Sequence, residues 1–293
     1  MSNVVNLETV VASHEVAFPE CDIKVETSTA INKPGKIISI KPKDSNIGAI
    51  LYWGKIRPRL EDNGGDMTSV IQTARRGINQ TPTNFDAEWI TDYENVKNNL
   101  VVCVCSSATN NLVDMPHHVI AGDLCEYYRI VVKDFICSPD SEASIRISNK
   151  LLVTWGISEE QLRDDAIKSS QILHPICIEN MADVFAKILG YAPMEADVPL
   201  WVASNCSRLN GASVVAYPGF FEEVRKIVGN SCYLMPASVH EVILAPPTAI
   251  TPDVNFMTQM VREINAVEVK PKDRLSDNVF YVDIDKETIT LAI

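Results

Sequence analysis

Basic residues are the scarce class in this chain of 293 residues: 26 Lys and Arg stand against 38 Asp and Glu, a net charge of −12 at pH 7. That balance disfavours a protein that grips a nucleic-acid backbone, which needs a basic face. It is compatible with ordinary acidic solubility, with a basic partner, or with mimicry of DNA. Long apolar runs are missing too. No segment approaches the ~20 apolar residues of a membrane span. The first twenty residues carry Glu8 and Glu15 and no Lys or Arg, so no secretory leader is expected, because a leader opens on a basic segment. None of the eight cysteines (Cys21, Cys103, Cys105, Cys125, Cys137, Cys177, Cys206 and Cys232) forms C-x-x-C. Most neighbour Val, Ile, Leu or Tyr, as buried free thiols do. A cytoplasmic, reduced protein without zinc or other metal is expected.

The familiar catalytic and cofactor signatures are also absent. There is no G-x-G-x-x-G. "GAILYWGK" from Gly48 has five residues between its glycines and Ile56 after the lysine, where a phosphate-binding loop needs four and then Ser or Thr. "GASVV" at Gly211 lacks the second glycine of a nucleophile elbow. "SDN" at Ser276–Asn278 matches one β-lactamase element, but there is no Ser-x-x-Lys and no Lys-Thr-Gly. Cys103 and Cys105 have no basic neighbour to lower a thiol pKa. No cofactor is expected.

What is present is a globular composition, 46% apolar and 22% charged, in a chain long enough for one large domain or two ordinary ones. The first block, residues 1–84, reads as a leading helix, three strands ("DIKVETS", "KIISIKP" and "IGAILYWG", 47–54) and a helix, "DMTSVIQTARRGI", capped by Asp66 with Gly77 near its end. The remainder, 85–293, divides into a helix-rich middle (85–190) and a strand-pair and helix part (191–293). In the middle, "ITDYENVKNNLVV" reads as a helix with Val96, Leu100 and Tyr93 on one face. "DLCEYYRIVV" and "EASIRISN" read as antiparallel strands joined by "CSPDSE". Ser158 and Gln161 form a capping box for the next helix, and "MADVFAKILG" is a helix ended by Gly190. In the last part "PLWVAS" and "SVVAY" read as a hairpin around Asn210-Gly211. Then follow a helix between Pro218 and Gly229, strands "CYLMP" and "HEVILAP", and a helix capped by Asp253 or Thr251. A closing hairpin turns over Asp285–Glu287. Paired strands without helical crossovers predict an α+β fold, with mostly antiparallel sheets, helices packed on one face and two subdomains.

The stretch "LMPASVHEVILAPP", Leu234–Pro247, places Ser238, His240 and Glu241 in an apolar run. On a strand Ser238 and His240 share a face and Glu241 points to the other, so Glu241 cannot orient His240 from behind. Leu244 stands where H-E-x-x-H needs its second histidine. A turn is expected, with the Ser238 hydroxyl bonded to local backbone. His117 and His118 are adjacent, so they diverge on either a strand or a helix and do not share a metal. Asp283 and Asp285 read as hairpin-turn chemistry.

Taken in order, "WITDYENVKNNLVV", "MPHHVIAGDLCEYYRIVV", "ISNKLLVTWGISEEQLRDDAIKSS", "NGASVVAYPGFFEEV", "YLMPASVHEVILAP" and "MVREINAVEVKPKDRLSDNVFYVD" resemble a bacterial family known as domain of unknown function 5688, common in gut clostridia and near mobile elements. The resemblance covers about Asp86 to Asp283 and takes in the more divergent first block only in outline. A weaker likeness runs to a second uncharacterised family of Gram-positive bacteria. The resemblance implies a cytoplasmic protein and carries no activity, catalytic residue or cofactor. It picks out Pro116, His117, Trp155, Gly156, Asn210, Gly211, Pro218, Pro236, Ser238, His240, Glu241, Asn265 and Asp277. Of these, His240, Glu241, Asn265 and Asp277 lie near strand ends and are candidates to converge. The function expected is binding of a macromolecule, most simply a protein partner, by a non-enzymatic bacterial or phage protein that touches neither membrane nor nucleic-acid backbone. The alternative is a hydrolase using His240 with Glu241, Asp277 or His117.

Overall fold

The computed structural model describes residues 5–80, 86, 88–132, 142–190, 199–248 and 253–293. Cys137, residues 137–141 of the loop expected at 137–142, and the alternative cap Thr251 lie outside these residues. The chain forms two compact units, Met1–Glu88 and Trp89–Ile293.

In the first unit α1 (Leu7–Ala17) starts where the Asn6 side chain accepts from the Thr9 N–H at 2.8 Å. Three antiparallel strands follow, β1 (Cys21–Thr27), β2 (Lys36–Pro42) and β3 (Ala49–Tyr52), in that spatial order. α2 (Trp53–Asp62) and α3 (Thr68–Gln80) complete the unit. Ile38 and Ile40 of β2 alternate onto one face and meet Val10, Leu51, Ile56, Leu60, Val70 and Ala74 from the helices and β3. The third strand ends earlier than the sequence predicts. Trp53 already opens α2, a helix hard to foresee because Gly54 and Pro58 lie in it. Gly77 is inside α3, and a Cβ there would lie 3.1 Å from Ala49 Cβ, so the glycine lets helix and strand approach closely.

The second unit contains α4 (Tyr93–Val96), β4 (Leu100–Ser106), β5 (His117–Ala121), β6 (Leu124–Val131), β7 (Ser144–Arg146), α5 (Asn149–Trp155), α6 (Glu159–Leu173), β8 (Ile176–Asn180) and α7 (Met181–Leu189). After these come β9 (Trp201–Asn205), a 3-10 helix (Gly211–Ala216), α8 (Phe220–Val228), β10 (Ser231–Ser238), β11 (Glu241–Ala245), α9 (Val254–Val267), β12 (Phe280–Asp283) and β13 (Thr288–Leu291). Two sheets result. In one, β6 pairs with β4 along one edge and with β5 and β7 along the other. The other has the order β13-β12-β10-β11-β9-β8, antiparallel throughout. The architecture is α+β.

The six-stranded sheet takes helices on both faces, where one face was expected. Cys232, Leu234, Val242, Leu244, Phe280 and Val282 pack on Phe220 and Val224 of α8. Met235 and Ala245 point the other way and pack on Met257 and Val261 of α9. The alternation along β10 and β11 supplies both faces, so this sheet is apolar on each side. The four-stranded sheet packs Val102, Tyr128 and Ile130 against Leu162 and Ala166 of α6.

Three further expectations are corrected. Leu100 does not continue a helix; it opens β4, whose seven residues are all buried. "SVVAY" is no strand, since residues 211–216 coil into a buried 3-10 helix and β9 pairs with β8 and β11 instead. The 236–238 segment is not the hairpin turn, because β10 runs through Ser238 and Val239-His240 turn the chain.

Candidate functional site

His240 sits on the two-residue turn between β10 and β11. The His240 N–H donates to Ser238 Oγ at 3.0 Å, which is the local bond expected of that serine. The imidazole Nδ1 accepts the Asn210 N–H at 3.2 Å. Its lone pair is thereby spent, so the proton sits on Nε2, 3.4 Å from Asp273 Oδ1. The acid behind His240 is therefore Asp273, and both ring nitrogens hold the turn against neighbouring loops. Glu241 faces Arg208 at 3.7 Å, and Arg208 also binds Glu179. Asn265, buried on α9, donates to Asp277 Oδ1 at 2.7 Å and to Ser276 O at 3.0 Å. The structure thus joins Asn265 to Asp277 and gives His240 and Glu241 other partners. His117 lies on β5 with Nδ1 3.0 Å from Met115 O. Among the described residues, no three His, Cys, Asp or Glu side chains group to hold a metal ion.

A cleft of about 340 Å³ opens elsewhere in this unit. Its walls are the edge strands β5 and β13, α6, and the segment from the 3-10 helix into α8. Val119, Ile120, Ile167, Val215, Phe221 and Ile289 form the apolar lining, and His118, Glu126, Arg163 and Thr288 the polar one. Glu126 is 1% exposed. Its carboxylate takes both arms of Arg163, at 2.8 Å each, and the Tyr128 hydroxyl at 3.3 Å. A paired fork of this kind answers the desolvation of the buried carboxylate. The carboxylate raises the guanidinium pKa further, and burial pushes the Tyr128 hydroxyl up.

Two other polar clusters escape sequence reasoning. The Asp123 carboxylate accepts from Ser106, Ser276 and Asn278, which explains the "SDN" triplet as a structural clasp. At the far end of β8 and β9, His174 Nδ1 lies 3.1 Å from Ser207 Oγ, and its Nε2 lies 3.0 Å from Glu142 Oε2. No spacing rule joins residues 142, 174 and 207; only the pairing of β8 with β9 brings the last two together. Nearby Tyr217 and Cys103 are shielded groups, pushed up to about 12 and about 11 by burial.

A family model described as "Family of unknown function (DUF5688)" matches residues 7–283, the first unit included. Neither curated proteins nor solved structures give a match.

Proposed function

Because the chain belongs to the family of unknown function DUF5688, and membership assigns no activity, we propose from the geometry that it is a macromolecule-binding, regulatory protein whose partner presents an extended segment. One observation carries this reading: the cleft lies between two strands that each form the edge of a sheet, β5 and β13. An edge strand offers unpaired N–H and C=O groups to an added strand. The apolar lining beside it gives an alternate side chain a place to go. A net charge of −12 favours a basic segment. No helix among the described residues is long and apolar enough to cross a membrane. The resemblance to a clostridial family points to a cytoplasmic bacterial, phage or mobile-element protein. The hydrolase alternative at His240, Glu241, Asp277 or His117 has less support, since Asn210 already occupies the nitrogen that a general base needs.

The test is selection from a library of extended basic peptides against the whole chain. Enriched peptides with alternating apolar positions are expected. Their affinity should fall about tenfold or more in Val119→Lys and Thr288→Lys, both at the cleft. Failure to enrich any peptide, or binding that ignores both changes, rejects the reading.

A further inference from the structure

We propose that Ser207, His174 and Glu142 form an acyl-transfer centre for short-chain carboxylic esters, with Ser207 as nucleophile. This goes beyond the binding role and does not depend on it. β9 ends at Asn205, and the turn that follows holds Arg208 and Asn210 at φ 55° and 50°. That turn leaves Ser207 exposed. His174 caps the end of α6 with its N–H bonded to Ser170 O at 2.7 Å, and the Tyr217 hydroxyl donates to its carbonyl at 3.3 Å. The Cys206 N–H bonds Pro175 O at 2.9 Å, which fixes the serine turn beside the histidine.

The proton inventory decides the roles. Glu142 as a carboxylate only accepts, so His174 Nε2 keeps its hydrogen and the Nδ1 lone pair faces Ser207 Oγ. An acid orienting one nitrogen and a hydroxyl on the other is the arrangement of a nucleophile–base pair. The two nitrogens are exchanged relative to trypsin-like enzymes, and an imidazole serves as base through either. Asn205 Oδ1, 2.9 Å from Ser207 Oγ, is a second acceptor for the hydroxyl proton, and Asn205 Nδ2 is tied to Leu209 O at 2.9 Å. A rotation of the O–H bond moves the proton from Asn205 to His174 while the oxygen stays in place. His240 offers the contrast, because a backbone N–H fills the nitrogen it would need.

In the reaction Ser207 Oγ bonds to the ester carbonyl carbon while its proton passes to His174 Nδ1. The C–O bond to the alcohol then breaks, and Nδ1 returns the proton to the leaving oxygen. Water attacks the acyl-serine, gives a proton to Nδ1 and releases the acid, and the serine recovers its hydrogen. The exposed position of Ser207 on its turn suits small, soluble acyl esters.

The experiment treats the full chain with a fluorophosphonate probe and locates the label by mass spectrometry. A parallel assay follows 4-nitrophenyl acetate hydrolysis. Labelling of Ser207 in the unaltered protein is expected, with hydrolysis falling on the order of 100-fold in Ser207→Ala and His174→Gln. Glu142→Gln should lower kcat with little change in KM. No label on Ser207 in the folded unaltered protein overturns the proposal, whatever the variants do. So does Ser207→Ala, folded by circular dichroism, hydrolysing at the original rate.

Discussion

The Asp123 carboxylate accepts a hydrogen bond from the Asn278 side chain at 2.9 Å, across 155 residues of sequence. The same oxygen accepts from the Ser276 hydroxyl at 2.8 Å, and the other takes the Ser106 hydroxyl. Ser106 and Ser276 are both buried. One carboxylate therefore joins the end of β4 and the start of β6 to the segment that enters β12.

Removing that carboxylate takes the acceptor from two buried hydroxyl protons, although Ser106 Oγ still accepts the Ala108 N–H and Ser276 Oγ the Asn278 N–H. Each buried donor left unsatisfied costs about 1–3 kcal/mol. Asp123→Ala should therefore lower the unfolding free energy by about 3 kcal/mol, read from the urea midpoint. Asp123→Asn should also destabilise, because its amide N–H₂ meets donors where an acceptor is needed. A change below ~0.5 kcal/mol in both would deny the clasp its role.

Glu126 and Arg163 give a sharper contrast, because one partner is buried and the other is not. Arg163→Met leaves a carboxylate unpaired at 1% exposure. Breaking such a pair costs about 3–5 kcal/mol, whereas replacing both members by apolar residues is often neutral. The double variant Glu126→Leu/Arg163→Met is expected to regain most of the stability lost in Arg163→Met. Equal instability of single and double variants would show that the pair itself contributes net stability.

Much of the local structure was legible because it is written in caps. Ser158 accepts from the Gln161 N–H, Asp253 accepts from the Phe256 N–H, and Gly156, Gly190 and Gly229 end their helices at positive φ. What stayed hidden lacked a period. β4 is buried on both faces, so "LVVCVCS" shows no alternation to separate it from a helix. "SVVAY" has strand propensity, yet Gly211 seats it against β9 and the hairpin turn, and tertiary packing overrides the β-branched residues. Glu241 meets Arg208 rather than His240, but not because of opposite faces of one strand: His240 lies in the turn and Glu241 opens β11. The acid that does meet His240 lies 33 residues further on, beyond the reach of any local pattern.

His14 supplies a pH dependence. It is fully buried, with Nδ1 2.7 Å from Val10 O. A carbonyl only accepts, so Nδ1 carries the hydrogen and Nε2 is left without a partner among the described residues. Protonation would place an unpaired cation in the core, and burial lowers the pKa below its ordinary 6.5. With the folded value depressed, the stabilisation is complete above the unfolded value and is lost as pH falls below it. Melting temperatures at pH 7.5 and pH 5.5 should differ less in His14→Phe than in the unaltered chain. Equal differences would remove His14 from the acid response.

The hairpin turn at His240 is tied to Gly211 through space rather than through sequence. A Cβ at Gly211 would lie 2.5 Å from His240 O and 2.8 Å from Asn205 N, closer than side-chain carbons approach backbone. Both contacts are main chain, so relief requires the turn and the end of β9 to move apart. That movement would also stretch the bond from the Asn210 N–H to His240 Nδ1. Gly211→Ala should therefore destabilise by about 3 kcal/mol, at the upper end for overpacking a core position. Gly219 is the control: nothing lies within 4 Å of a Cβ there, and its φ is −75°. Gly219→Ala should stay within about 0.5 kcal/mol, as surface changes do. Urea midpoints measured side by side decide it. Two alanine variants of equal stability would mean that the turn yields freely, and that the bonds around His240 do not fix its place.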